Sequence, residues 1–154
     1  MSFEQRVVEL GLELPPPAKA VGVYKPAVIV GDLCLTSGHG PLQTDGQLIT
    51  GCVGRDLDQA AGTAAARQTG LALLATLQHH LGTLDRIQRV VKLLGMVWCT
   101  PDFDQHPAVI NGCSELFRDV FGEQAGVGAR SAVGMNSLPL GMAVEIEGIF
   151  EIRA

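Results

Sequence analysis

Apolar residues recur with different spacings along the chain, and each spacing indicates a type of secondary structure. Four leucines at steps of three and four residues form the stripe of one helical face: Leu71, Leu74, Leu77 and Leu81. An alanine-rich segment precedes them. We therefore predict one long helix that is capped by Asp56, runs to about Leu81 and stops at Gly82.

A second helix is predicted from Pro107, because proline is tolerated in the first turn of a helix, and it ends at Gly122. Its apolar face consists of Val109, Cys113, Leu116 and Val120, with Phe117 and Phe121 beside it. Asn111 lies off this face, so we expect its side chain to face either a pocket or solvent.

Extended segments surround these two helices. The run from residue 87 to residue 98 is rich in β-forming residues with little alternation, which predicts a central strand buried on both faces. Residues 20–36 are predicted to be extended, with a hairpin turn at Gly31-Asp32. Two more strand-like runs flank a Leu-Pro-Leu-Gly turn at residues 138–141.

The chain begins with a separate helical segment. Ser2 and Gln5 form a capping-box pattern, which predicts a short helix over about residues 2–10. Prolines at positions 15–17 make a stiff extended link. We divide the chain into an N-terminal arm with this link, residues 1–18, and one domain, residues 19–154. The order of elements predicts an α+β fold with helices on one face of a sheet.

Composition adds an expectation about assembly. Of the 154 residues, 47% are hydrophobic and only 18% are charged, whereas an ordinary soluble domain has about 25% charged residues. Such a chain is expected to bury surface in a symmetric oligomer. No apolar run reaches the roughly 18 residues of a membrane span, and no secretory signal pattern is visible, so we expect a cytoplasmic protein.

The charge balance and the cysteine spacing argue against nucleic-acid-binding proteins and metal-binding proteins. The net charge is −5 and the 11 lysines and arginines are scattered, which argues against general nucleic-acid binding but leaves a local groove open. The four cysteines, Cys34, Cys52, Cys99 and Cys113, lack the short spacing of a zinc or redox motif. We predict neither a metal site nor a cofactor.

The candidate chemistry lies in the two strand-like runs near the C-terminus. Arg130 is in the first run, and Glu145 and Glu147 are in the second. A guanidinium can hold a carboxylate through two parallel hydrogen bonds, and a glutamate can transfer a proton or hold a water. The same residues would also serve as a structural Arg–Glu pair at a sheet edge. The residues alone leave both interpretations open.

Several motifs in order resemble the Rid (reactive intermediate deaminase) family, also called YjgF-like or endoribonuclease L-PSP. They are Ala-Val-Gly-Val-Tyr at 20–24, Leu-Thr-Ser-Gly at 35–38, Val-Ile-Asn at 109–111, Ala-Arg-Ser-Ala-Val at 129–133, the Leu-Pro turn, and Val-Glu-Ile-Glu-Gly-Ile at 144–149. The resemblance covers residues 20–153. It implies a chorismate-mutase-like fold with a mixed sheet and two main helices on one face, assembled as a homotrimer with ligand clefts between subunits.

The resemblance also implies roles for single residues. Arg130 matches the arginine that holds the carboxylate of a 2-imino acid or its enamine, and Glu145 matches the glutamate that orients the hydrolytic water. Tyr24 matches a tyrosine of the cleft, Gly38 a glycine whose backbone approaches the ligand, and Asn111 a helix asparagine. Glu147 shares the strand face of Glu145 and is the fallback.

The chain departs from the family pattern at two of these motifs. Ala132 stands where a cysteine is common, so only a backbone contact is expected there. His39 stands where a glutamine is common. We expect these two departures to affect the choice of substrate more than the type of reaction.

Three functions follow as hypotheses. The first is a cofactor-free hydrolytic deaminase of reactive 2-imino acids or enamines, which releases a 2-keto acid and ammonia. The second is a non-catalytic module that binds small carboxylates such as keto acids in the same cleft. The third, suggested by one of the family names, is an endoribonuclease or translation inhibitor.

Overall fold

The computed structural model describes all residues, 1–154, as an α+β domain. The helices are α1 (Phe3–Glu9), α2 (Gln59–Leu81), α3 (His106–Phe121) and the single turn α4 (Glu123–Gly126); the strands are β1 (Ala27–Val30), β2 (Leu33–Thr36), β3 (Ile87–Trp98), β4 (Ala129–Met135) and β5 (Val144–Ile152). The five strands form one sheet in the order β1-β2-β5-β3-β4. Only β3 and β4 pair in parallel.

Helices α2 and α3 cover one face of this sheet, as predicted. The core between the two layers contains the completely buried rings of Phe117 and Phe150, whose centroids lie 6.0 Å apart. The other face, which we call the open face, has no helical layer. It presents partly exposed apolar side chains, including Val28, Leu35 and Val133.

The prediction for β3 is half right. The strand is central, between β5 and β4, and spans Ile87–Trp98 as expected. Burial on both faces is wrong for the isolated chain, because helices cover only one side and the strand mixes buried, intermediate and exposed residues.

Helix α2 begins two residues later than predicted. Its N-cap is Asp58, whose carboxylate accepts a hydrogen bond from the Ala61 backbone N–H at 2.8 Å. Asp56 instead accepts from the Cys52 N–H at 2.8 Å and pairs with Arg55, which holds the preceding turn. Gly82 ends the helix with a φ of +82°, a conformation that glycine adopts without steric cost.

The predicted extended segment also begins later. The hairpin at Gly31-Asp32 is confirmed, since β1 and β2 flank it. Residues 20–26, however, form bends rather than a strand. The segment between α3 and β4 contains the helical turn α4.

The N-terminal arm is docked firmly on the domain. The capping box of Ser2 and Gln5 is present, and α1 spans Phe3–Glu9. The carboxylate of Glu4 accepts hydrogen bonds from the Gln78 side chain at 2.7 Å and from the Leu84 N–H at 2.8 Å. After α1, residues 10–21 run beside the middle of α2 and include the proline link. We call residues 10–21 the strap.

None of the helices could span a membrane. Even α2, the longest helix with 23 residues, lacks the continuous apolar length that crossing a bilayer requires.

Candidate active site

A cleft of about 660 Å³ opens between the strap, the loop after β2, the turn before β5, and β5 itself. This volume lies within the range of small-molecule sites. Three of the residues singled out from the sequence, Tyr24, Gly38 and Glu145, line it. The structure thus brings these three together.

Glu145 supplies the acid of the cleft. It lies on the open face of β5, where Glu147 follows on the same side. Burial of its carboxyl and the nearby negative charge of Glu147 both raise the pKa of Glu145 above the ordinary value. A carboxylate with a raised pKa is a stronger base when ionised, which suits a group that takes a proton from water.

Gly38 allows the Glu145 carboxyl to sit where it does. A Cβ placed on Gly38 would lie 2.8 Å from Cδ and 3.0 Å from Oε2 of Glu145. Any side chain at this position would therefore displace the carboxyl group. The resemblance assigned Gly38 to backbone contact with a ligand, and the structure adds close contact with Glu145.

His39 fixes the loop that carries Gly38. Its backbone exchanges two hydrogen bonds with Ile146, at 2.8 and 2.9 Å. Its ring is buried, with Nδ1 donating to the Ser37 carbonyl at 2.7 Å and Nε2 accepting from the Thr76 hydroxyl at 2.8 Å. Burial is the main cause that lowers the pKa of His39, so the neutral ring is favoured. This departure from the family pattern is a structural anchor.

Tyr24 forms part of the outer wall. Its hydroxyl accepts a hydrogen bond from the Val21 N–H at 3.2 Å and so connects the end of the strap to the next segment. The side chain remains exposed, and its ring faces the cleft.

Arg130 lies in a different environment. From β4 it extends toward α3, where Nη1 donates to Asn111 Oδ1 at 2.8 Å and to Ser114 Oγ at 3.1 Å. Nη2 lies 3.4 Å from the Pro107 carbonyl, a longer contact. Asn111, left open between pocket and solvent, thus orients the guanidinium. Ser114 was missed, although its position three residues after Asn111 places both on one helical face.

The candidate residues therefore fall into two groups within one chain. Arg130 and Asn111 form one group, and Ala132 follows Arg130 on the same face of β4. Glu145 lies on the other face of the sheet, and β3 separates β4 from β5, which are not neighbours. The structural Arg–Glu pair is wrong for the single chain, since the guanidinium contacts only neutral oxygens.

Metal-ligating side chains do not cluster. No group of three or more histidine, cysteine, aspartate or glutamate side chains has the geometry to hold a metal ion. All four cysteines are free, and Cys99 Sγ lies 3.3 Å from His106 Nε2.

Comparison with known proteins identifies the family. The profile described as "YjgF/chorismate_mutase-like, putative endoribonuclease" matches residues 4–146, and the chain belongs to this family. The match begins within α1. It thus includes most of the arm.

Three relatives show how far the similarity extends. Protein TCP17 of Trypanosoma cruzi is 41% identical over 144 residues, covering 94% of this chain and 90% of that protein. A "putative endoribonuclease" from Shewanella oneidensis is 33% identical, with a TM-score of 0.94 over 99% of this chain and all of that one. RidA from an Antarctic Psychrobacter is 30% identical, with a TM-score of 0.59 over 89% of this chain and 94% of that one.

Proposed function

We propose that the protein is a hydrolytic deaminase of reactive 2-imino acids and their enamine tautomers. The observation that carries the proposal is the Glu145 carboxyl, half-buried in a cleft, close against Gly38, with a raised pKa. Membership of the family whose members include a protein named RidA supports the same reaction.

The proposed reaction needs only water. Glu145 takes a proton as the water oxygen bonds to C2 of the imine, and the C=N double bond becomes a single bond. Glu145 returns this proton to the nitrogen, which becomes an amino group. Glu145 then takes the proton of the new hydroxyl group and passes it to the nitrogen as the C=O double bond forms and the C–N bond breaks, so that a 2-keto acid and ammonia leave. Holding the substrate beside one oriented water supplies the advantage of proximity.

Arg130 would hold the substrate carboxylate, and we propose that it does so across a subunit boundary. Arg130 and Glu145 lie on opposite faces of the sheet in one chain, so a second copy is required to unite them. The open face also carries partly exposed apolar residues, including Val28, Leu35 and Val133. Contact with other copies would remove this apolar surface from water. A homotrimer with shared clefts satisfies both observations. Light scattering tests this assembly, and a monomer at micromolar concentration would contradict it.

The assay for the reaction generates an imino acid in situ with an amino-acid oxidase and follows release of the keto acid. Glu145→Gln should lower turnover by roughly 10²–10⁴-fold and leave keto-acid affinity near normal. Arg130→Ala should lower turnover and weaken keto-acid binding. Arg130→Lys should restore little of either, because an ammonium cannot reproduce the two parallel hydrogen bonds. Wild-type rates from Arg130→Ala would show that the site is wrongly assigned.

A binding module is the alternative that uses the same residues. If the wild-type protein binds keto acids through Arg130 but gives no rate above buffer, the cleft binds without turnover. Glu145→Gln then separates the two functions, because only catalysis requires its ionised carboxyl.

A further inference from the structure

Some of the polar side chains that line the cleft already have hydrogen-bond partners within the chain. Both ring nitrogens of His39 are occupied, and the Ser37 hydroxyl donates to the Lys25 carbonyl at 2.6 Å. The Tyr24 hydroxyl accepts from the Val21 N–H. Of the five polar or charged lining residues, this leaves Glu145, Lys19 and the O–H donor of Tyr24 without a partner inside the chain.

The rest of the lining is apolar or glycine. The apolar wall is built from separate parts of the chain, including Leu42, Leu48, Ala72, Leu140 and Met142. A small polar substrate could react with water without such a wall. A substrate with an apolar side chain gains free energy when that side chain leaves water and packs against the wall. The 660 Å³ volume leaves room for a large group beside Glu145.

Leu140 is unusual at the rim of this cleft. It is the one non-glycine residue with a positive φ, at +58°, and the residue is 76% exposed. A left-handed backbone is unfavourable for leucine, and an exposed side chain offers little compensation through folding. A binding role accounts for the exposure, since a ligand in the cleft would cover the leucine side chain.

The strap adds a rigid wall opposite this turn. Pro16 and Pro17 line the cleft together with Val21. Prolines restrict the backbone, so this wall is already ordered before a ligand arrives. The docked α1 helix holds the other end of the strap in place.

We propose that the cleft selects 2-imino acids with large hydrocarbon side chains, branched or aromatic, and that Leu140, Pro16, Pro17 and Val21 determine this specificity. The proposal rests on the proposed deaminase function for the reaction, but the selectivity of binding stands on the cleft itself. The imine carbon lies at Glu145, and the hydrocarbon side chain extends toward Leu140 and the strap.

The test compares imino acids formed in situ from leucine, phenylalanine and alanine. We expect the wild-type protein to show at least about tenfold higher kcat/KM for the leucine and phenylalanine derivatives, since apolar pockets discriminate by 10–200-fold per methylene. Leu140→Gly removes the side chain and relieves the backbone, so folding is retained. It should lower kcat/KM for the leucine and phenylalanine derivatives far more than for the alanine derivative, and so abolish most of the preference. Val8→Ala, at an exposed site on α1 outside this cleft, is the control.

Calorimetry keeps the selectivity test independent of turnover. The wild-type protein should bind 4-methyl-2-oxopentanoate at least about tenfold more tightly than pyruvate. Leu140→Gly should bring the two dissociation constants closer together. Selective binding without hydrolysis would refute the deaminase and retain the selectivity. Hydrolysis with equal kcat/KM for all three substrates would refute the selectivity and retain the deaminase. A preference that survives Leu140→Gly would overturn the assignment to Leu140.

Discussion

Arg130 and Glu145 extend from opposite faces of one sheet, with strand β3 between the strands that carry them. Two adjacent strand spacings alone separate them by about 10 Å. One guanidinium and one carboxylate of the same chain therefore cannot hold and hydrolyse the same small imine. This geometry makes a sharp prediction about mixed oligomers.

Co-expression of Arg130→Ala and Glu145→Gln chains should restore activity that neither variant has alone. If each cleft takes Arg130 from one copy and Glu145 from the next, random mixing gives an intact pair in about one quarter of the clefts. Keto-acid release by the purified mixed oligomer measures this fraction. Activity equal to the sum of the two single variants would place the complete site within one chain.

Gly38→Ala should lower turnover with little loss of stability. The new methyl group would meet the end of the Glu145 side chain, which can turn away, so the cost in folding should stay below about 1 kcal/mol. A carboxylate displaced by about 1 Å can cost roughly 10²-fold in rate. Kinetics and thermal melting on the same preparation separate the two effects.

The matched control for that variant is Gly22→Ala. A Cβ on Gly22 meets only the Tyr24 ring at an ordinary distance of 3.6 Å. Its turnover should remain near the wild-type value. Equal losses from both variants would indicate a general disturbance of the cleft wall.

Glu147→Gln should move the acidic limb of the pH–rate profile to lower pH. Burial is the main cause that raises the pKa of Glu145, and the Glu147 charge raises it further. Without that charge Glu145 loses its proton more readily, so the active ionised form persists to lower pH. The maximal rate should change little. An unshifted limb would show that the titrating group is not Glu145.

His39→Gln should remove part of the acid sensitivity of folding. The pKa of His39 is lowered, so the folded chain binds this proton more weakly than the unfolded chain. The associated stability is present above the ordinary pKa of 6.5 and is lost as pH falls toward the lower folded value. Glutamine can donate and accept in the same place, so stability at pH 7.5 should stay within about 1 kcal/mol.

Melting temperatures between pH 5 and pH 7.5 measure this effect, with His79→Gln, an exposed neighbour on α2, as the control. The plot of melting temperature against pH should become flatter for His39→Gln and should not change for His79→Gln. An unchanged slope would assign the acid sensitivity to other groups.

RNA cleavage is not expected, although relatives carry the endoribonuclease name. The net charge is −5, and phosphate binding depends on clustered basic residues. Incubation with single-stranded RNA, against a preparation of Glu145→Gln purified in parallel, tests this. Degradation by the wild-type protein that the variant lacks would contradict the expectation.

The sequence predicted the fold more completely than the site because periodicity reports burial, whereas side-chain encounters depend on pairing. The leucine stripe of α2 and the 12-residue β3 were both predicted from spacing. The separation of Arg130 from Glu145 was not, since it requires β3 to insert between strands that follow one another in the chain. The cap of α2 was placed at Asp56 because both aspartates are chemically suitable, and only backbone geometry distinguishes Asp58.

The cleft was predicted only in part. Tyr24, Gly38 and Glu145 were found through motifs, but no periodic signal connects residues 10–21 or Leu140 to them. A proline link resembles an inert spacer in sequence. Only tertiary packing of the arm on α2 and α3 turns it into a wall of the cleft.

That packing has a consequence for how this protein can diversify. The strap joins the domain ahead of the first strand and contributes no strand to the sheet, so its sequence can vary without disturbing strand register or the chemistry at Glu145. Exchange of residues 10–21 between relatives would then be a modular route to new substrate ranges. A tag or truncation that loosens α1 would, by the same connection, alter specificity at a distance, even when the rest of the molecule is intact.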